Sequence, residues 1–197
     1  METGDLLTPG AADASVRPAQ VSDVRAMAAV QVRSWRRSYA GLLPDHLLDS
    51  LSGEQMATGW QAAVIEPPSA RHAVLVACAG PAVVGLAALA PSGDVDAGDG
   101  DAELVALEVD PMHQRVGHGS RLLAAVVDTA RERAFSTLRV WVPAGDAARR
   151  DFLTSAGLRP DGARRRLRPD GPDSPTGEPA GPDATEVVEE RMAAALP

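Results

Sequence analysis

The residues Gln114-Arg115-Val116-Gly117-His118-Gly119-Ser120 fall between an apolar run, Ala102 to Val109, and a stripe of Leu122, Leu123, Val126, Val127 and Ala130 at helical spacing. A loop that leaves a strand and opens a helix presents unpaired backbone N–H groups, and the helix dipole adds partial positive charge at the same place. Glycines at 117 and 119 remove the Cβ atoms that would hold an anion away from those amides, and Arg115 can add a charge-assisted contact. The chemistry this predicts is binding of a diphosphate. As a bare spacing, Gly-x-Gly fits equally well a tight turn that binds nothing. The loop is not a Walker A motif, because Gly-Lys-Ser/Thr is missing, and it lacks the G-x-G-x-x-G of a dinucleotide fingerprint.

Other chemistry is thinly represented. Cys78 lies in the apolar run Val74 to Ala79, which reads as a buried strand rather than a nucleophile's setting, and no Ser-His-Asp constellation is apparent. His46, His72, His113 and His118 show no metal-ligand spacing, so no metal is expected. Asp94-x-Asp96-x-x-Asp99-x-Asp101 has Asp99 and Val105 where a calcium loop needs Gly and Glu, and reads as a solvated hairpin turn. Arg164-Arg165-Arg166-Leu167-Arg168 reads either as a solvated late strand paired with nearby Asp residues or as a contact for an anionic substrate or phosphate.

The elements that must position the loop emerge from periodicity. Residues 1–14 read as a flexible leader, and a first strand starts near Val16. Ser22-Asp23 can cap a helix carrying Val24, Ala28, Val32, Trp35 and Tyr39, which Gly41 ends. A short helix from Pro44-Asp45 to Leu51 comes next, then a third from Ser52-Gly53-Glu54, stopped by Pro67-Pro68. Residues 72–79 and 82–90 are apolar runs joined by Gly80-Pro81, a hairpin of buried strands. After the loop and its helix come a strand at Leu138 to Val142 and a helix capped by Asp146 that ends at Gly157. Two late strands, Ala163 to Arg168 and Thr185 to Met192, flank a long mobile loop at 169–183 with five prolines. The sum is one α/β domain over 15–197 with a mixed central sheet flanked by helices.

Composition narrows the partners. At 197 residues, with 45% hydrophobic side chains but only 3% aromatics, the core must be aliphatic, with Trp35, Trp60, Trp141, Phe135 and Phe152 as its few large anchors. All 19 basic residues are Arg and the net charge is -8, which suits nucleic-acid binding poorly. One cysteine excludes an intrachain disulfide framework, and neither a basic-then-apolar leader nor a run of membrane length is seen. A cytoplasmic monomer or homodimer is expected, with no membrane partner.

Leu107-Glu108-Val109-Asp110-Pro111, with Gln114-x-x-Gly117-x-Gly119 after it at the opening of an apolar helix, resembles the GCN5-related N-acetyltransferase superfamily. The resemblance extends over about residues 16–192, because Trp35-x-x-x-Tyr39-x-Gly41-Leu42-Leu43-Pro44 is similar to the first-helix signature of one large bacterial branch. It implies splayed central strands, an acyl-CoA-dependent N-acyltransferase, and acetyl-CoA or another short acyl-CoA as co-substrate with an amine as acceptor. It implies that the backbone of Leu107, Glu108 and Val109 pairs with the pantetheine arm. The loop Gln114, Arg115, Val116, Gly117, His118, Gly119 and Ser120 would hold the pyrophosphate, with Asp146 and Phe152 at further cofactor positions.

Transfer to an amine requires the neutral amine, and for a lysine-like group deprotonation at neutral pH costs roughly 4–5 kcal/mol, so a base is expected. The resemblance makes Glu103 that base; the plainer reading is an exposed strand-end Glu. On a regular strand Glu103 and Glu108, at odd separation, point to opposite faces. Tyr39, the single tyrosine, could orient substrate or act as an acid, or only pack beside Trp35. The family's acid to the leaving thiolate is a Tyr where this chain has Leu153, which leaves that role unfilled at 153. A second reading is therefore a CoA-binding module that keeps the cleft without catalysis. A backbone N–H near Leu107 or Val109 could meet the developing oxyanion.

Overall fold

The computed structural model describes residues 14–167 and 186–197; the expected mobile loop at 169–183 and the expected leader, apart from Ala14, lie outside the described residues. In chain order the elements are β1 (Ala14–Pro18), α1 (Val24–Ser38), α2 (Asp45–Asp49), α3 (Gly53–Ile65), β2 (Ala73–Ala79), β3 (Ala82–Pro91), β4 (Asp101–Val109), α4 (His118–Glu132), β5 (Thr137–Pro143), α5 (Ala147–Ser155), β6 (Arg159–Leu167) and β7 (Val187–Ala195). Ser52 caps α3 by accepting from the Gln55 amide, and Asp146 caps α5 by accepting from the Arg149 amide, as residues with short acceptor side chains do at a helix start. Asp23 does not cap α1. Its carboxylate instead takes two bonds from Arg17 and one from the Gln20 amide, tying the end of β1 to the helix entry.

The strands form one mixed sheet in the order β1-β2-β3-β4-β5-β7-β6. The apolar hairpin β2–β3 lies near its centre, covered on one face by α1 and on the other by α4, which explains why both runs are continuously apolar. Met27 and Val30 of α1 close over Val76, Cys78 and Leu86, while Leu122, Leu123 and Val126 of α4 close over Leu75, Ala77, Val84 and Ala87. Gly85 allows the close crossing, since a Cβ there would stand 3.0 Å from Leu122 Cδ1 and from the Glu108 carbonyl. The core is more aliphatic than the aromatic anchors suggest. Of those five, only Phe135 is buried; the largest fully buried side chains are Met and Leu.

Two irregularities in β4 shape the surface it presents. Ala88 of β3 stands opposite Ala106, but Leu89 stands opposite Leu104, so Val105 is an extra, bulged residue. Ala102 and Leu104 before the bulge, and Leu107 and Val109 after it, all pack on the α4 side, while Ala106 packs on the α1 side. Glu103 and Glu108 therefore share the α1 face, contrary to the expectation from a regular strand. The second irregularity is at the neighbour: β4 and β5 run parallel and pair only through Asp101, Ala102 and Glu103 with Thr137, Leu138 and Arg139. Beyond that point β5 continues against β7 and β4 against β3, and the two strands part.

Leu122 is fully buried where α4 crosses the sheet, so Leu122→Ala is expected to cost about 2–5 kcal/mol in urea unfolding. The Arg17 hydrogen bonds hold the Asp23 carboxyl below its ordinary range. A depressed carboxylate stabilises the fold above its unfolded value of about 3.9 and loses that contribution as pH falls through the folded value. Asp23→Asn is therefore expected to lower stability at neutral pH and to flatten its decline on acidification, measured by urea midpoints from neutral pH down to about 2.5.

Candidate active site

The parting of β4 and β5 leaves main-chain groups of β4 without a strand neighbour on one side. The Asp110 amide donates to the Val84 carbonyl, which turns alternate residues, Glu108 among them, towards β3 and leaves Leu107 and Val109 facing the gap. Val109 is held there by a single side-chain contact, Gln114 Nε2 donating to its carbonyl at 3.1 Å. Leu107 and Val109 thus turn a main-chain edge to the gap, whereas the main chain of Glu108, the third residue expected at that edge, faces β3 and its side chain is engaged by Ser34 and Arg149.

The chain then turns sharply into α4. Asp110 accepts from the Met112 amide at 2.9 Å and from Arg33 Nε at 2.9 Å, fastening the end of β4 to α1. Burial pushes the Asp110 carboxyl up, but the Met112 amide and Arg33 outweigh it and hold it below the ordinary range. Arg115 and Gly117 both take left-handed backbone angles, φ 66° and 93°, and Gly117 is the N-cap of α4. The amides of His118, Gly119 and Ser120 head the helix, where no carbonyl of the preceding turn reaches them. Arg115 is exposed and pairs with no carboxylate among the described residues, while Arg121 donates to the Val116 carbonyl and closes the turn. His118 is buried beneath the loop. Burial first, then Arg121 and His113, lower its pKa, which favours the neutral ring. Phe152 of α5 lies beside Gly119, 3.7 Å from where a Cβ would be, and a groove of about 570 Å³ runs from Ser120 and Phe152 between α4 and α5.

On the α1 face the gap has a polar floor. Glu108, buried, accepts from the Ser34 hydroxyl and from Arg149 Nη2 at 3.1 and 3.3 Å. Arg149 also lies 3.5 Å from Asp146. Tyr39 ends α1 with its ring edge-on to Trp35, centroids 5.7 Å apart, so the packing reading of this residue is realised. Its phenol also stands in the field of Arg149 and Glu108; burial pushes its pKa up to about 12, with Arg149 opposing. From the same α1 end, Leu42 packs on Gly145, where a Cβ would come 2.6 Å from Leu42 Cδ2. Leu153 faces the apolar core and is 1% exposed.

Further along that face, at the closed end of the gap, Glu103 is half-buried with no side-chain cation bonded to it among the described residues. Burial raises its pKa, with Arg165 opposing and Asp94 reinforcing. The acidic turn expected to be solvated is instead bound. Buried Arg191 pairs with Asp94, Asp96 and Asp161, and Arg139 pairs with Asp96 and Asp101. Trp141 donates to Asp94 at 3.1 Å and carries Arg165 over its ring at 4.5 Å. Among the described residues the basic run pairs with Glu of β7 and its approach rather than with Asp: Arg164 with Glu190, Arg165 with Glu189, Arg166 with Glu186. Ser34, Arg149, Trp141 and Arg191 were not legible as site residues, although the Asp146-to-Arg149 spacing on a capped helix was a signal that could have raised Arg149.

Parallel strands that part beside a helix start capped by a left-handed glycine, with a carboxylate and a phenol beneath the opening, are the frame of an α/β transferase. The family model for the acetyltransferase (GNAT) family matches residues 30–158, and the chain belongs to that family as an N-acetyltransferase. It is 30% identical over 128 residues, 65% of this chain and 70% of the relative, to the uncharacterized N-acetyltransferase YuaI of Bacillus subtilis. The fold is similar to that of PaiA N-acetyltransferase from Thermoplasma acidophilum in complex with coenzyme A, with a TM-score of 0.70 and 17% identity over 93% of this chain and 99% of the other. It is also similar to YncA from Salmonella typhimurium, whose structure holds its cofactor acetyl-CoA, with a TM-score of 0.63 and 18% identity over 93% and 94%.

Because Gly117 is left-handed and a Cβ there would meet Arg121 Nη1 at 2.8 Å, Gly117→Ala is expected to lose about 1–3 kcal/mol of stability. The same variant is expected to weaken CoA binding at least tenfold by calorimetry, a shift of about 1.4 kcal/mol.

Proposed function

We propose that the protein transfers an acetyl or other short acyl group from acyl-CoA directly to an amine. The observation that carries this reading is the open edge of β4 running into the amides of α4: Leu107 and Val109 offer main-chain groups to an amide-rich arm, and the loop offers donors to a diphosphate. The residues present fit acyl-CoA. Leu107 and Val109 would hold the arm, the loop Gln114 to Ser120 the diphosphate, with Arg115 adding charge, and Phe152 would lie along the arm's outer side. When bound, acyl-CoA supplies an activated thioester carbonyl. Related folds solved with CoA or acetyl-CoA support the same assignment.

The chain's own groups account for the proton. Glu103 stands on the acceptor face, and burial raises its pKa, which makes its carboxylate a stronger base than an ordinary one. Tyr39, with a pKa pushed up to about 12, keeps its proton and can donate a hydrogen bond to the departing sulfur, a task Leu153 cannot perform. The bulge at Val105 turns the strand at the head of the gap, where a main-chain N–H can meet the oxyanion. We place this chemistry in a single domain over 15–197 acting in the cytoplasm as monomer or homodimer. The net charge of -8 favours small-molecule or peptide amines over nucleic acid, and no helix among the described residues is long and apolar enough to cross a membrane.

The test is thiol release from acetyl-CoA across a broad panel of amines. Glu103→Gln is expected to lower kcat/KM by about 10²–10⁴-fold. It is also expected to remove the acid limb of the pH–rate profile, which in the wild type should lie above the ordinary range of a Glu because the base must be ionised to work. CoA binding with no thiol release from any amine would favour the non-catalytic module, the reading the family match does not favour.

A further inference from the structure

The open end of the gap is crossed by one ion pair. Among the described residues, every other ion pair between the β1–β4 half and the β5–β7 half lies at the closed end, where Arg139 and Arg191 hold Asp94, Asp96 and Asp101. At the open end, only Arg149 of α5 reaches β4, through Glu108. Its guanidinium is fixed at both sides of the opening, with Nη2 on the Glu108 carboxylate, Nε towards Asp146, and the Asp146 carboxylate in turn capping the helix that carries Arg149. Glu108 is oriented independently by Ser34 of α1. The plane of a guanidinium and its fixed donor directions suit it to such a brace better than an ammonium. Since Glu108 points to the α1 face, the bridge lies beneath the sheet plane and leaves the β4 edge at Leu107 and Val109 uncovered.

We propose that Arg149 is a positioning residue that sets the width of the opening between β4 and α5 and forms its floor, so that the arm of an acyl-CoA meets the β4 edge in register. This rests on the acyl-CoA reading above. A strand edge without a neighbour has no ladder of its own to fix the distance to the other half, and the buried Glu108–Arg149 pair supplies it. The pair also places the positive charge that opposes burial at Tyr39, so the same brace sets the field at the phenol.

The experiment compares, by calorimetry, the affinity for CoA with that for 3′-phospho-ADP, which carries the diphosphate and lacks the arm. The dissociation constant for 3′-phospho-ADP divided by that for CoA isolates the arm. In Arg149→Met this ratio is expected to fall about 10- to 100-fold, the scale of a misplacement of about an ångström, with 3′-phospho-ADP binding unchanged. Arg149→Lys should restore part of it. Since Arg149→Met leaves Glu108 buried without its cation, the double variant Glu108→Gln/Arg149→Met, which has no orphaned charge, is measured beside it and should show the same loss. An unchanged ratio, an equal weakening of both ligands, or tighter CoA binding in Arg149→Met would overturn the proposal, the last by showing that the guanidinium obstructs the arm. Failure of the wild type to bind either ligand would instead overturn the acyl-CoA reading.

Discussion

The structure turns on the parting of two parallel strands after three residue pairs. A sheet interior does not ordinarily leave hydrogen-bonding groups unmatched, because each unpaired buried N–H or C=O costs free energy comparable to a lost hydrogen bond. Here the loss is tolerated along β4 from Leu104 to Val109 because the edge opens into the gap that β5 leaves. The rest of the molecule is arranged about that opening. α4 starts at one end of it, α1 and the loop after it lie beneath, and α5 forms the opposite wall.

The two ends of the opening are held differently. At the closed end the strands are paired and a dense set of Arg–Asp contacts, centred on Arg191 and Arg139, fastens the turn before β4 onto β5 and β7. Apart from Asp96, which is exposed, these groups are largely sheltered, and Arg191 is fully engaged by its carboxylates, which raise its pKa further. At the open end the contacts are few: Leu42 on Gly145, and Arg149 on Glu108. Such an arrangement makes one end fixed and the other a mouth, with Glu103 and Tyr39 both on the α1 side of the opening.

Much of the frame was legible in the residues themselves. The switch from helical to continuous apolar patterning at His72 marks the β2–β3 hairpin, the Gly117-x-Gly119 loop marks the start of α4, and Asp146 and Gly157 bracket α5. The bulge was not legible, because Val105 is as acceptable in a regular strand as in a bulged one; it reversed the relation between Glu103 and Glu108. The partners of long-range charges were also hidden. Arg149 meets Glu108 across 41 positions and Arg191 meets Asp94 across 97, and nothing local distinguishes those arginines from the others in a chain whose basic residues are all Arg. Asp23 looked like a cap because its type and position suit one, and tertiary pairing with Arg17 took its carboxylate instead.

The open β4 edge and the head of α4 act together only if they are two parts of one acyl-CoA site, and amide hydrogen exchange with and without CoA probes both at once. Exchange is expected to slow at Leu107 and Val109 together with the amides of the Gln114–Ser120 loop, while Glu108, whose amide already faces β3, changes little. Slowed exchange confined to the loop, or appearing instead in the groove between α1 and α3, would contradict a shared site.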